Sequence, residues 1–72
     1  MSSCVVIRRI PFGGKRDVQV NARLDDATFS GGRLQIPVTT EDGHESVVWS
    51  AALGLTPLEV RYARQKADRN NF

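Results

Sequence analysis

At 72 residues, with 40% apolar side chains and a net charge of +2, the chain has room for one domain and buries roughly 60% of the surface its unfolded form would expose. One Cys and one His exclude an internal disulfide and a closed zinc site of nitrogen and sulfur ligands, so packing alone must hold the core. The N-terminus lacks the residue succession of a secretory signal, and no apolar run approaches the roughly 20 residues that span a bilayer, so no membrane association and a reducing cytoplasm are expected.

Cys4 to Ile10 is rich in β-branched residues and meets Pro11, which predicts a first strand ending there. Gly13-Gly14 offers two positions free to take positive φ. From Asp17 to Leu24 the pattern alternates, with Val18, Val20, Ala22 and Leu24 on one face, which predicts a second, half-buried strand in a hairpin with the first. Asp25 to Gly32 reads as a loop, with Phe29 folding back as a lid on the core. Leu34, Ile36 and Val38 alternate with Arg33, Gln35 and Pro37 and predict a third strand, whose Pro37 points to a sheet edge or a bulge.

After Asp42-Gly43 the spacing of Val48, Ala51, Ala52 and Leu55 fits a helical stripe, so a short helix is expected from about Glu45 to Leu53, closed by Gly54. Thr56-Pro57-Leu58-Glu59 is a capping-box sequence with proline at the first helical position, so a second helix should start at Pro57. Its stripe is Val60, Ala63 and Ala67, and it should fray after Arg69. Together these elements predict an α+β domain over residues 1–72. A small antiparallel sheet of about three strands is followed by two helices in a helix-turn-helix-like arrangement, with mobile ends at 1–3 and 70–72.

Charge is unevenly placed. Residues 1–16 carry Arg8, Arg9, Lys15 and Arg16 and no acid, and residues 60–72 carry Arg61, Arg64, Lys66 and Arg69 against Asp68. Between them seven acids face Arg23 and Arg33, a net charge of −5. Two basic ends flank an acidic body, and the eight terminal cations are the candidate contacts to a polymerase or a nucleic acid. The competing account is a solvated, mixed surface.

Individual constellations each have two readings. Arg8 and Arg9 adjoin in a strand and must point to opposite faces, which favours an edge position that either recruits an extended partner segment or is blunted by its arginines. Phe12-Gly13-Gly14-Lys15-Arg16 is a hairpin tip, or a clamp on nucleic acid. The start of the second helix holds Pro57, Leu58 and Glu59, which are unsuited to reading base edges. Trp49 is expected in the core, Cys4 as a small buried thiol and His44 as a solvated turn residue. Glu41, Asp42 and Glu45 lie near His44, but a turn beside Gly43 is a poor frame for acid–base or metal chemistry. No catalytic, cofactor or metal site is expected, and the chain is read as a binding protein and not an enzyme.

In size, in its opening MSSCVVIRRIPFGGKR and in its closing LGLTPLEVRYARQKADRNNF, the chain resembles the small RNA-polymerase-binding transcription regulators of lytic Xanthomonas phages. The resemblance implies a protein that binds host polymerase near the RNA exit channel and hinders initiation by the housekeeping sigma factor. It also implies suppressed termination, by obstruction of the hairpin in the emerging transcript. The likeness is one of layout over the whole chain, so no residue role is carried over. The expectation is a monomer acting in the host bacterial cytoplasm, with secondary contact to nucleic acid. The alternative is a helix-turn-helix DNA-binding protein, a small repressor or accessory factor that needs to dimerise or join a partner.

Overall fold

A computed structural model describes residues 4–14 and 16–71. In chain order the elements are strands β1 (Val5–Phe12) and β2 (Arg16–Arg23), a 3₁₀ turn (Leu24–Asp26), strands β3 (Thr28–Ser30), β4 (Arg33–Thr40) and β5 (Glu45–Trp49), a one-turn helix α1 (Ser50–Leu53) and helix α2 (Pro57–Asn70). The strands form one antiparallel sheet in the order β1-β2-β4-β3, with β5 also pairing with β4. Both helices lie on the same face of it. The expected three strands and helix-turn-helix pair are therefore replaced by five strands, one long helix and a single helical turn.

The largest correction concerns residues 45–49. Glu45, Ser46, Val47, Val48 and Trp49 pair in continuous register with Thr39, Val38, Pro37, Ile36 and Gln35. A short apolar run fits both periods, and β-branched and aromatic side chains beside an available strand decide for the sheet. Only Ser50–Leu53 turn helically before Gly54, at φ 61°, ends the turn in the left-handed conformation. The second correction is Thr28–Ser30, expected as loop. Gly31 and Gly32, at φ 59° and 78°, form the two-residue turn that joins these residues to Arg33 with the twist of a hairpin. That sets Phe29 opposite Leu34.

Pro37 sits in a central strand, against expectation, and the register explains how. Thr40 donates its N–H to the His44 carbonyl (2.9 Å), so even-numbered residues of β4 face β5 and odd-numbered ones face the opposite edge. On that edge the pairing with β2 stops at Val38 and the pairing with β3 at Gln35. Pro37 falls in the gap, where no partner needs its missing N–H.

One face of the sheet carries the core. Ile10, Val20, Ala22, Ile36 and Val38 meet Leu24, Ala27, Leu34 and Leu53 and the small side chains Ala63 and Ala67 of α2. Alanines there let the helix axis approach the sheet closely. The capping box of α2 is formed: the Glu59 N–H donates to the Thr56 hydroxyl (3.3 Å), and the Thr56 N–H donates to the Glu59 carboxylate (2.9 Å). The helix runs through Asn70. The Asn70 amide donates to the carbonyls of Asp25 and Ala27 (2.9 Å each). Asn71 accepts from the Phe29 N–H (3.3 Å) and donates to the Phe29 carbonyl (3.4 Å), so the C-terminal turn is fastened to β3. Residues 1–3 and Phe72, expected to be mobile ends, lie outside the described residues.

Candidate interaction surface

The eight candidate cations do not gather at one place. Arg8 is on the core-side face of β1, opposite Val20, and reaches across to the first turn of α2, where its guanidinium meets the Glu59 carboxylate at 2.5 Å. Glu59 is thereby shared between the cap and the ion pair. The Thr56 amide, first, and then the arginine hold its carboxyl below the usual range, against a desolvation that pushes the other way. Arg8 is thus occupied within the fold.

Arg9 points to the opposite face and lines an open hollow of about 470 Å³ with Phe12, Arg16, Asp17 and Val18, bounded also by Glu41 and Asp42 of the following turn, so the hollow is of mixed charge. The polar contact of Arg9 is a long bond to the Asp17 carbonyl (3.4 Å). Lys15 lies outside the described residues. On α2, Arg61 and Arg64 flank a groove of about 550 Å³ floored by Leu55, Pro57 and Val60. Lys66 lies on the other flank, 3.8 Å from Asp25 and over the Tyr62 ring at 5.5 Å. Arg69 is exposed beside it.

Folding draws on the acids of the body. The four ion pairs among the described residues engage Glu59, Asp26, Glu45 and Asp25. Asp42 is held by the Thr40 hydroxyl and the His44 amide, the hydroxyl being the larger cause of its lowered carboxyl pKa. Arg9, Arg16, Arg61, Arg64 and Arg69 form no ion pair with a carboxylate among the described residues. The four pairs occupy Arg8, Arg23 and Lys66, and the Asp26 and Glu45 side chains stay largely exposed.

Two features were missed in the sequence. Asp25 accepts from the Tyr62 hydroxyl and from the Cys4 amide (2.6 Å), tying the start of β1 to α2; residues 21 and 37 positions apart carry no local pattern. Trp49, expected in the core, is 38% exposed on the helix-free face of the sheet, with the Arg33 guanidinium 4.3 Å from the ring centroid. Strand geometry explains the reversal, because Val48 turns inward and its two neighbours outward. Val5, Ile7 and Val47 are also exposed on that face. β1 was marked in the sequence by its β-branched residues, with no alternation to show which half faces solvent; the pairing with β2 decides that.

Among the described residues no three His, Cys, Asp or Glu side chains stand where they could hold a metal ion, and no helix is long and apolar enough to cross a membrane. Compared with known proteins, the chain matches no family model, no curated protein and no solved structure.

Proposed function

We propose that this chain is a phage-type transcription regulator. In this reading it binds host RNA polymerase as a monomer, inhibits sigma-dependent initiation and promotes antitermination near the RNA exit channel. The observation that carries the reading is the separation of used from unused charge. Four of the body's carboxylates, Glu59, Asp25, Asp26 and Glu45, are engaged in ion pairs among the described residues, while Arg9 and Arg16 at one end and Arg61, Arg64 and Arg69 on α2 are engaged in none. Such a molecule is steered toward an acidic protein surface, and its cations come to lie near nucleic acid without needing to read bases. The resemblance of its two ends to regulators of this kind supplies the partner. Steric blockade requires no chemistry.

The helix-turn-helix alternative loses its basis, because the segment meant as its first helix is β5. Run-off transcription with host holoenzyme tests the proposal. Protein added before promoter binding is expected to lower initiation, and protein added to an elongating complex is expected to raise read-through at an intrinsic terminator. Unchanged initiation together with unchanged read-through would overturn it.

A further inference from the structure

Among the described residues β1 pairs with β2 alone and leaves one edge without a strand partner. The Leu24 N–H donates to the Cys4 carbonyl (2.9 Å), which fixes the parity of the whole strand. Even-numbered residues turn their backbone groups to β2, and Val5, Ile7 and Arg9 turn theirs outward. The next residue of that series, Pro11, has no N–H and ends the usable edge. Arg8 donates to the outward Ile7 carbonyl (3.0 Å), but a carbonyl oxygen has a second lone pair and can accept again. The side chains of the same three residues stand together on the helix-free face. Val5 and Ile7 are 48% and 59% exposed, and Arg9 has no carboxylate partner among the described residues.

We propose that this edge takes up an extended segment of a partner protein, added antiparallel to β1, whose alternate side chains are a carboxylate, an apolar residue and a second apolar residue facing Arg9, Ile7 and Val5. The inference rests on the reading above that the chain holds a larger protein, and it names the kind of segment held. Three physical arguments select this occupant. Outward N–H and C=O groups alternating at strand spacing are matched in full by another strand, whereas a phosphate backbone leaves the carbonyls unpaired and the two apolar side chains uncovered. Charge complementarity sets a carboxylate against Arg9, the one charged side chain of the outward three, which forms no ion pair among the described residues. A second copy fits poorly. Two β1 strands paired about a two-fold axis through Ile7 set each Val5 against an Arg9, covering the cation without a counter-charge.

The test uses the full chain and a labelled synthetic peptide that alternates threonine with glutamate, isoleucine and valine, in that order from its N-terminus. Binding followed by fluorescence anisotropy is expected to weaken about ten-fold or more in Ile7→Thr and in Arg9→Glu, two exposed positions whose replacement is expected to leave the amide spectrum dispersed. A peptide with lysine in place of glutamate is expected to bind Arg9→Glu and not the native chain. Amide exchange is expected to slow at Val5, Ile7 and Arg9 on binding, while Val6, Arg8 and Ile10 are slow already. Absence of binding, equal binding by both variants, or equal binding of a peptide with the reversed order overturns the proposal. So does protection of the same amides by a single-stranded oligonucleotide, or a dimer that Ile7→Thr dissolves. Capture of host polymerase separates the two readings. Undiminished capture by Arg9→Glu defeats the edge alone, whereas no capture by the native chain defeats the polymerase reading and leaves the peptide result to decide the edge.

Discussion

Asp25 joins three parts of the chain: the 3₁₀ turn that bears it, the start of β1 through the Cys4 amide, and α2 through Tyr62 and Lys66. The Tyr62 hydroxyl is the largest reason its carboxyl sits below the ordinary 3.8, followed by the Cys4 amide, with partial desolvation opposing both. A carboxyl whose folded pKa is depressed adds stability that is present above its unfolded value and disappears as pH falls through the folded one. Asp25→Asn is therefore expected to be less stable at neutral pH and to lose less between about pH 5 and pH 2, read as melting temperature against pH. Tyr62 behaves in the opposite sense. Donation to Asp25 pushes its hydroxyl up to about 12, so its contribution is whole below 10 and vanishes as pH rises through about 12. It is the chain's only tyrosine, so ultraviolet difference absorption reads it alone. Its midpoint is expected to fall toward 10 in Asp25→Asn; an unchanged midpoint would show that the hydroxyl is not engaged by this carboxylate.

Among the elements, those marked by local chemistry were legible in the sequence and those set by pairing were not. Thr56, Pro57 and Glu59 announced α2 because a capping box is made within four consecutive residues; Thr56→Ala is expected to cost about 1 kcal/mol in denaturant titration. β2 and β4 showed their alternation because one face of each is buried. Residues 45–49 offered both periods, and the choice lay in the Val48–Ile36 pairing that only the assembled sheet provides. Two substitutions test that assignment. Val48 faces the core and Val47 faces out at 53% exposure, so Val48→Ala is expected to destabilise by roughly 1–3 kcal/mol and Val47→Thr by less than about 0.5 kcal/mol. Equal costs would contradict the inward and outward alternation of these two residues. At Gly54, with φ 61°, alanine is strained and asparagine less so, and an expected loss of about 1 kcal/mol for Gly54→Ala reports the turn between α1 and α2.

At the scale of the whole molecule, the basic ends were plain in the sequence, but their division was not. Arg8 and Arg9 are neighbours in the chain and serve different purposes, one clasping Glu59 and the other left beside an open edge, because adjacent strand residues point to opposite faces. Helix α2 likewise sends Arg61 and Arg64 to one flank and Lys66 to the other. The body contributes a sheet covered by helices on one side, so a large partner has two surfaces to hold, the helix-free face with the β1 edge and the Arg61–Arg64 flank of α2. The most direct measurement is a titration of the labelled protein onto host RNA polymerase at two salt concentrations, with duplex DNA as competitor. The account predicts saturable binding to polymerase that survives the DNA and weakens as salt rises, and that is lost when Arg9, Arg16, Arg61 and Arg64 are reversed to glutamate in a variant that remains folded. Affinity for polymerase that is absent, or that the reversed variant retains in full, would contradict it.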